Sequence, residues 1–180
     1  MSDQDSVIEW FLENQRDLPW RKSTPWGVLV SEFMLQQTPV NRVLPKWKEW
    51  MDRWPTPPDL AQATSGEVIK AWDRLGYPRR ALRLYESAQV ITAKHDGQVP
   101  STYEELLALP GVGDYTAGAI LSFAFSTRAV VLDTNVRRVI TRWHQGEEFP
   151  HSSLSKAERA LAEELIPKRS ALWAGATMEL

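Results

Sequence analysis

The chain has 180 residues with 43% hydrophobic and 24% charged side chains and a formal net charge of −2, a composition typical of an ordinary globular domain. Because no apolar run approaches the roughly 20 residues that span a bilayer, we expect no membrane partner, and the acidic N-terminus without a signal pattern predicts a cytoplasmic protein. The absence of cysteine excludes disulfides, thiolate catalysis and cysteine-held metals among these residues, and the three histidines are too scattered to predict a metal site.

The first informative segment runs from Val30 to Pro39 and predicts a helix that carries Glu32 among apolar neighbours. Partial burial would raise the pKa of this carboxyl and keep it protonated near neutral pH, as a general acid requires. An exposed glutamate on the polar side of an amphipathic helix is the alternative, and the periodicity does not separate the two. Amide and hydroxyl groups that could contact bases or phosphates end the segment: Gln36, Gln37 and Thr38.

The middle of the chain also has helical spacing, over 40–54 and again over 79–94. A loop between them is predicted by three prolines, Pro55, Pro57 and Pro58. Capping-box spacing marks three further helix starts, at Thr64 with Glu67, Ser101 with Glu104, and Ser155 with Glu158. Because the one strand-like run, 129–132, is short and isolated, we predict an all-α fold of eight to ten short helices.

Residues 109–120 have the pattern of two helices joined by a glycine turn, Leu-Pro-Gly-Val-Gly-Asp-Tyr-Thr-Ala-Gly-Ala-Ile. The first helix is expected to end before Pro110 and the second to begin with Asp114 as its cap. The backbone of Gly111, Val112 and Gly113 could then hold a phosphate at a helix N-terminus. A tight helical turn packed by the small residues that follow it, with no ligand, is the alternative.

Asp133 follows the apolar run 129–132 and stands where another helix is expected to begin. Aspartate is a favoured N-cap, and that role alone would explain it. However, it lies about 20 residues after the glycine turn, a relation found in one enzyme superfamily, and this favours a catalytic role.

Basic residues are concentrated in two stretches, although the total charge is slightly negative. These are Arg74, Arg79, Arg80 and Arg83 in one stretch and Arg128, Arg137, Arg138 and Arg142 in the other. A one-sided basic face can bind phosphates, but arginines on solvated helix faces are the simpler interpretation.

Together these segments resemble the helix-hairpin-helix DNA glycosylases of the endonuclease III superfamily, and more closely the MutY-type adenine DNA glycosylases. The most specific match is Ser-Glu-x-Met-Leu-Gln-Gln-Thr at Ser31, supported by Leu-Asp-x-Asn-Val-x-Arg-Val at Leu132 and Leu-Gly-Tyr at Leu75. The resemblance implies two helical lobes with the active site in the cleft between them. One would be a six-helix lobe over about 24–134 that contains the hairpin, and the other would combine 1–23 with 135–180.

The resemblance also implies a role for each candidate residue. Adenine would be flipped from the duplex into the cleft, where Glu32 would protonate its N7 and Asp133 would stabilise the oxocarbenium-like sugar. Asn135 would orient Asp133 or the sugar phosphate, and Tyr115 would contact the sugar. The pocket for adenine would be lined by Arg16, Trp20, Arg21, Leu35 and Glu179. Lyases of the superfamily have a lysine that forms a Schiff base where this chain has Tyr115, so hydrolysis without strand cleavage is expected.

The implied partner is double-stranded DNA with an adenine·8-oxoguanine or adenine·guanine mispair, bound by a monomer, with Gln37 and Tyr77 wedged beside the 8-oxoguanine. A location at the bacterial nucleoid would follow from a role in DNA repair. The family's 4Fe-4S cluster is held by four cysteines that are expected just beyond Leu180, so we expect the chain to end before them and to hold no cluster itself.

Two alternatives stay open. A glycosylase of the same superfamily that removes mismatched thymine or uracil would share the fold and Asp133, although Glu32 suits a purine leaving group better. A non-catalytic helix-hairpin-helix module would explain 109–120, but it gives no reason for Glu32 or Asp133.

Overall fold

The computed structural model describes residues 2–180, and this part of the chain contains helices and no strand, as predicted. The α-helices are α1 (Asp3–Asn14), α2 (Pro25–Leu35), α3 (Val40–Arg53), α4 (Pro57–Ala61), α5 (Ser65–Trp72), α6 (Arg79–Lys94), α7 (Tyr103–Leu107), α8 (Asp114–Phe125), α9 (Thr134–Ile140), α10 (Lys156–Glu164) and α11 (Ser170–Glu179). Short 3-10 turns occupy Pro19–Lys22 and Asp73–Leu75, and a π turn extends α9 over Thr141–Gln145.

One helix lies where a loop was predicted. Pro57 and Pro58 are the first two residues of α4, and Thr56 and Asp59 form a capping box in front of it. The prediction was wrong because a proline at the first helical position loses no intrahelical hydrogen bond and already has a helical φ. The helices therefore number eleven in the described residues, above the range expected.

The helix starts follow the predicted capping chemistry, with two shifts of one residue. Thr64 and Ser155 form capping boxes as expected. However, α7 is capped by Thr102, whose hydroxyl accepts from the Glu105 N–H, and not by Ser101. Likewise Gly113 is the extended N-cap of α8, which makes Asp114 the first helical residue and not the cap.

The largest core is built from the helices α2 to α8 and is rich in tryptophan. Trp50 makes edge contacts with Trp54 and Trp72, with ring centroids 4.9 and 5.5 Å apart. Burial of these large side chains supplies much of the hydrophobic stabilisation of this core. Smaller apolar clusters join α1 to α11, and α9 to α10. The division into lobes at residues 24 and 134 stays a prediction.

A close approach of α8 to the segment before α9 sets the position of Asp133. A Cβ at Gly118 would lie 2.3 Å from the carbonyl oxygen of Val130, so only glycine fits there. Among residues 2–180, no helix is both long and apolar enough to span a membrane.

Candidate active site

A cleft of about 420 Å³ opens between α2, α8, the start of α9 and the end of α11. It brings together every residue predicted for catalysis or base binding, although they come from distant parts of the sequence. These residues are Arg16, Trp20, Arg21, Glu32, Leu35, Tyr115, Asp133, Asn135 and Glu179. Such convergence of polar groups in one concave site is typical of a ligand pocket.

Glu32 lies near the C-terminal end of α2, and only 6% of the residue is exposed. Burial raises the pKa of this carboxyl to about 7, and the neighbouring Asp133 charge raises it as well. Interaction with the Tyr115 hydroxyl acts in the opposite direction and lowers the pKa. Glu32 therefore retains its proton in a large part of the molecules at neutral pH, and the exposed alternative is excluded.

Asp133 is both a helix cap and a cleft residue. Its Oδ1 accepts a hydrogen bond of 2.7 Å from the Val136 N–H at the start of α9. This bond fixes the carboxylate at the start of α9. The two interpretations of Asp133 are therefore compatible, because capping holds a carboxylate that also borders the cleft.

Tyr115 and Asn135 line the same cleft as these two carboxyl groups. Tyr115 lies in the first turn of α8 and is half-buried, and burial raises the pKa of its phenol, followed by the charges of Glu32 and Asp133. It therefore stays a neutral hydroxyl. Asn135 lies in the first turn of α9 and is exposed, and within residues 2–180 it makes no hydrogen bond to Asp133.

The cleft lining also contains a charged cluster of Arg16, Arg21 and Glu179. The Arg16 backbone N–H donates to Glu179 at 3.2 Å, its Nε donates at 3.3 Å, and Arg21 donates to the same carboxylate. Burial opposes ionisation of Glu179, but the hydrogen bonds from Arg21 and Arg16 outweigh it and lower the pKa of the carboxyl. Glu179 is therefore a fixed anion and accepts hydrogen bonds without donating them.

Apolar surface completes the cleft, and part of it was not predicted. Trp20 is buried on the 3-10 turn after α1 and packs edge-on against Trp47, with centroids 5.9 Å apart. Phe123 and Met178 also line the cleft. Their helical spacing marks them as apolar positions, but nothing in the sequence separates a cleft wall from a core.

The segment after α2 forms the rim of the cleft with Gln36, Gln37 and Thr38. Gln37 is exposed and has a left-handed φ of 57°. Thr38 is buried, and its hydroxyl donates to the Leu75 carbonyl at 3.2 Å, so this group is already engaged within the protein. Tyr77 is 64% exposed and also left-handed, with a φ of 49°.

The glycine turn between α7 and α8 has the expected helical hairpin form. Gly111 has a φ of 79°, and a Cβ there would lie 2.7 Å from the Arg83 Cβ. The Val112 N–H donates to the Leu109 carbonyl at 3.1 Å and its side chain is buried, so Val112 shapes the turn. The first turn of α8, next to Gly113, presents backbone N–H groups without intrahelical partners.

Several arginines of the two basic stretches are engaged inside the protein. Arg137 forms a bidentate ion pair with Glu158, in which Nε donates to Oε1 at 3.0 Å and Nη2 donates to Oε2 at 3.1 Å. Arg128 donates to the carbonyl groups of Glu163 and Ile166 at the end of α10. Arg80 donates to backbone carbonyls at the end of α2 and at the end of the 3-10 turn Asp73–Leu75. The simpler interpretation, arginines on solvated helix faces, therefore does not describe these three side chains, because their hydrogen-bonding capacity is used within the protein.

The residues present do not fit a protein-held metal. The sequence has no cysteine, and across residues 2–180 no cluster of three or more histidine, aspartate or glutamate side chains could hold an ion.

Comparison with known proteins shows what the chain is similar to. A family model described as HhH-GPD superfamily base excision DNA repair protein matches residues 30–168. The chain is 48% identical over 166 residues to an adenine DNA glycosylase of Mycobacterium tuberculosis (strain ATCC 25618 / H37Rv), which covers 91% of the chain and 55% of that protein. An adenine DNA glycosylase of Homo sapiens is 42% identical over 187 residues, covering 97% of the chain and 34% of that protein. The chain thus spans about half or less of the length of these relatives.

Solved structures share the fold. A thermostable thymine-DNA glycosylase superposes with a TM-score of 0.90 at 28% identity, covering 98% of this chain and 82% of that one. A trapped endonuclease III–DNA covalent intermediate superposes with a TM-score of 0.83 at 23% identity, covering 97% and 81%.

Proposed function

The chain belongs to the HhH-GPD superfamily of base excision DNA repair proteins, and we propose that its cleft removes adenine from duplex DNA by hydrolysing the N-glycosidic bond. The observation that carries this proposal is the buried Glu32, protonated near neutral pH and beside the Asp133 carboxylate in one cleft. Two carboxyl groups of different protonation state are what glycoside hydrolysis requires. The relatives named adenine DNA glycosylase support adenine as the base removed.

In this reaction Glu32 is the general acid. Its proton passes to N7 of adenine as the bond to the sugar breaks, so that the base leaves without building up negative charge. A pKa of about 7 suits the task, because the group is protonated often enough and still gives up its proton readily.

Asp133 acts on the sugar. As the base departs, positive charge develops on C1′ and the ring oxygen, and a carboxylate fixed at the α9 N-terminus stabilises it or bonds to it briefly. Water then completes the hydrolysis and leaves an abasic sugar. Asn135 borders the same space and would contact the sugar phosphate.

Another part of the cleft lining gives the preference for adenine. Trp20 and Leu35 offer apolar surface to the flipped base, and Glu179 offers a carboxylate held by Arg16 and Arg21. An obligate acceptor matches the exocyclic amino group of adenine and repels a carbonyl oxygen at the same position. A base with a carbonyl there would leave a charged acceptor unpaired in the pocket.

The pairing partner of the adenine is proposed from the resemblance. Gln37 and Tyr77 are both exposed beside the cleft and would contact the base opposite, 8-oxoguanine or guanine, while the glycine turn holds a backbone phosphate. A lone copy of the chain would bind the duplex. Because the position facing the sugar is Tyr115 and not lysine, the proposed enzyme leaves the DNA backbone intact.

The family resemblance also implies a 4Fe-4S cluster in the complete protein. Because the sequence has no cysteine, thiolate ligands for such a cluster would have to come from residues outside these 180. The proposed reaction has no step that involves a cluster.

A thymine glycosylase is the second candidate, since a thymine-DNA glycosylase is 28% identical with a TM-score of 0.90. That activity would use Asp133 in the same way. Thymine would not pair with an anionic Glu179, because it has a carbonyl where adenine has its amino group. Thymine also has no purine N7 for the proton donor Glu32 to protonate. Adenine is therefore the better-supported base.

Replacing Glu32 by Gln tests the proposal, because glutamine keeps the size of the side chain and cannot donate an acidic proton. We expect at least a roughly hundredfold slower single-turnover release of adenine from an adenine·8-oxoguanine duplex, with DNA binding retained. Glu13→Gln, an exposed glutamate on α1, is the matched control and should release adenine at the wild-type rate. Equal rates for both variants would contradict the role of Glu32.

A further inference from the structure

The Arg80 side chain belongs to one of the basic stretches but turns inward beneath the rim of the cleft. Its Nη1 lies 3.1 Å from the Phe33 carbonyl oxygen and 3.2 Å from that of Met34, and it also donates to Gln36. These carbonyls end α2, where backbone acceptors have no intrahelical donors. A cation at this end also interacts favourably with the helix dipole.

The other arm of the guanidinium reaches a second loop. Its Nη2 donates to the carbonyls of Leu75 and Gly76, both at 3.1 Å, and to the Thr38 hydroxyl at 3.0 Å. One planar group therefore ties the end of α2 to the loop that carries Tyr77.

Each of the two loops carries one residue with a left-handed backbone. Gln37 has a φ of 57° and Tyr77 a φ of 49°, and neither is glycine. Such conformations persist where the surroundings fix them. The donors of Arg80 bind the carbonyls directly before both residues, at Gln36 and Gly76. A lysine could not reproduce this, because a single ammonium has no rigid fork.

We propose that Arg80 is a positioning residue that holds Gln37 and Tyr77 in a fixed relation, so that the two side chains open the duplex beside the cleft. This inference rests on the proposed function for its ligand, a mispaired duplex. By this proposal, the rate of base extrusion depends on Arg80, although Arg80 contacts neither the base nor the sugar.

Arg80→Lys tests it, with Arg53→Lys as the matched control, since Arg53 is exposed and has one carboxylate partner, Glu67, that a lysine can also reach. Extrusion is followed by the fluorescence of 2-aminopurine placed opposite 8-oxoguanine, and chemistry by single-turnover adenine release. We expect both rates, extrusion of 2-aminopurine and release of paired adenine, to be at least about tenfold lower in Arg80→Lys. A loss of this size is comparable to the effect of losing one base-stacking contact. Release of an adenine opposite an abasic-site analogue, which is already unpaired, should fall less than threefold, and Arg53→Lys should match the wild type on both.

If Arg80 only stabilised the fold, Arg80→Lys would reduce adenine release from the paired and from the unpaired substrate by the same factor. That result would overturn the proposal. Should Arg80→Lys fail to fold, Thr38→Val removes one acceptor of the guanidinium. It should give a smaller loss of adenine release, confined to paired adenine, and an equal loss on both substrates would again contradict the proposal.

The fluorescence signal requires no base release. A wild-type chain that extrudes 2-aminopurine but releases no adenine would refute the proposed function, and the slower extrusion of Arg80→Lys would still support this one. A wild-type chain that binds the duplex without extrusion would refute it.

Discussion

The carboxyl of Glu32 binds its proton more tightly in the folded chain than in the unfolded one, because burial raises its pKa from 4.5 to about 7. Between these two pH values the folded state carries more protons, so the stability that the protonated form provides is complete below pH 4.5 and is lost as the pH rises through about 7. Above pH 7 the free energy of unfolding is therefore lower than below pH 4.5, by on the order of 3 kcal/mol.

Glu32→Gln should therefore be more stable than the wild type at pH 8 and nearly equal to it at pH 4. The glutamine stays neutral at both pH values, so it never incurs the cost of a buried charge. Urea denaturation at the two pH values measures the difference, with Glu13→Gln as the exposed control. A gain of the same size at pH 4 and pH 8 would mean that ionisation of Glu32 is not its cause.

Tyr115 offers a second prediction for a single residue. Tyr115→Lys should place an amine near the sugar, and we expect it to form a Schiff base that borohydride traps on DNA, with some strand cleavage. Tyr115→Phe has no amine and should give no trapped complex. A folded Tyr115→Lys protein that releases adenine without any trapped product would show that this position does not face the sugar.

Among the helices, the contact between α8 and the segment before α9 controls where Asp133 lies. Gly118→Ala would place a methyl group 2.3 Å from the Val130 carbonyl oxygen, so backbone must move, at a cost of about 1 to 3 kcal/mol. Because Asp133 is three residues further on, we expect adenine release to fall more than DNA binding. Gly66→Ala in α5 meets nothing within 4 Å and should keep wild-type activity and gain slightly in stability. Equal activity of the two variants would argue against this coupling.

The sequence was sufficient to predict helices that are determined by neighbouring residues. The spacing over 79–94 and the capping boxes at Thr64 and Ser155 predicted α6, α5 and α10, because hydrophobic periodicity and cap chemistry act within a few residues. The helix α4 was missed because prolines are compatible both with loops and with the first turn of a helix.

The site itself was predictable only where a motif carried it. The resemblance proposed Glu32 and Asp133 as the catalytic pair, whereas periodicity could not decide whether Glu32 is buried. The engagement of Arg80 depends on carbonyls more than 40 residues away in sequence, and nothing local distinguishes it from its exposed neighbour Arg79. Phe123 and Met178 line the cleft through the same kind of long-range packing.

Over the whole molecule, packing of α1 against α11 completes the cleft. It brings Glu179 against Arg16 and Arg21, which are more than 150 residues away in sequence. The acceptor that gives the proposed preference for adenine thus depends on contact between the two ends of the described chain. The two carboxyl groups proposed for catalysis, Glu32 and Asp133, instead lie on α2 and at the start of α9.

By the proposed function, this cleft releases adenine and discriminates against thymine. The most direct test is single-turnover base release by the wild-type chain from adenine·8-oxoguanine and thymine·guanine duplexes of the same flanking sequence, with Asp133→Asn as the inactive control. We predict that adenine is released, that thymine release is at least about a hundredfold slower, and that no strand is cut without added alkali. Thymine release as fast as adenine release, or tight duplex binding with release of neither base, would contradict the account.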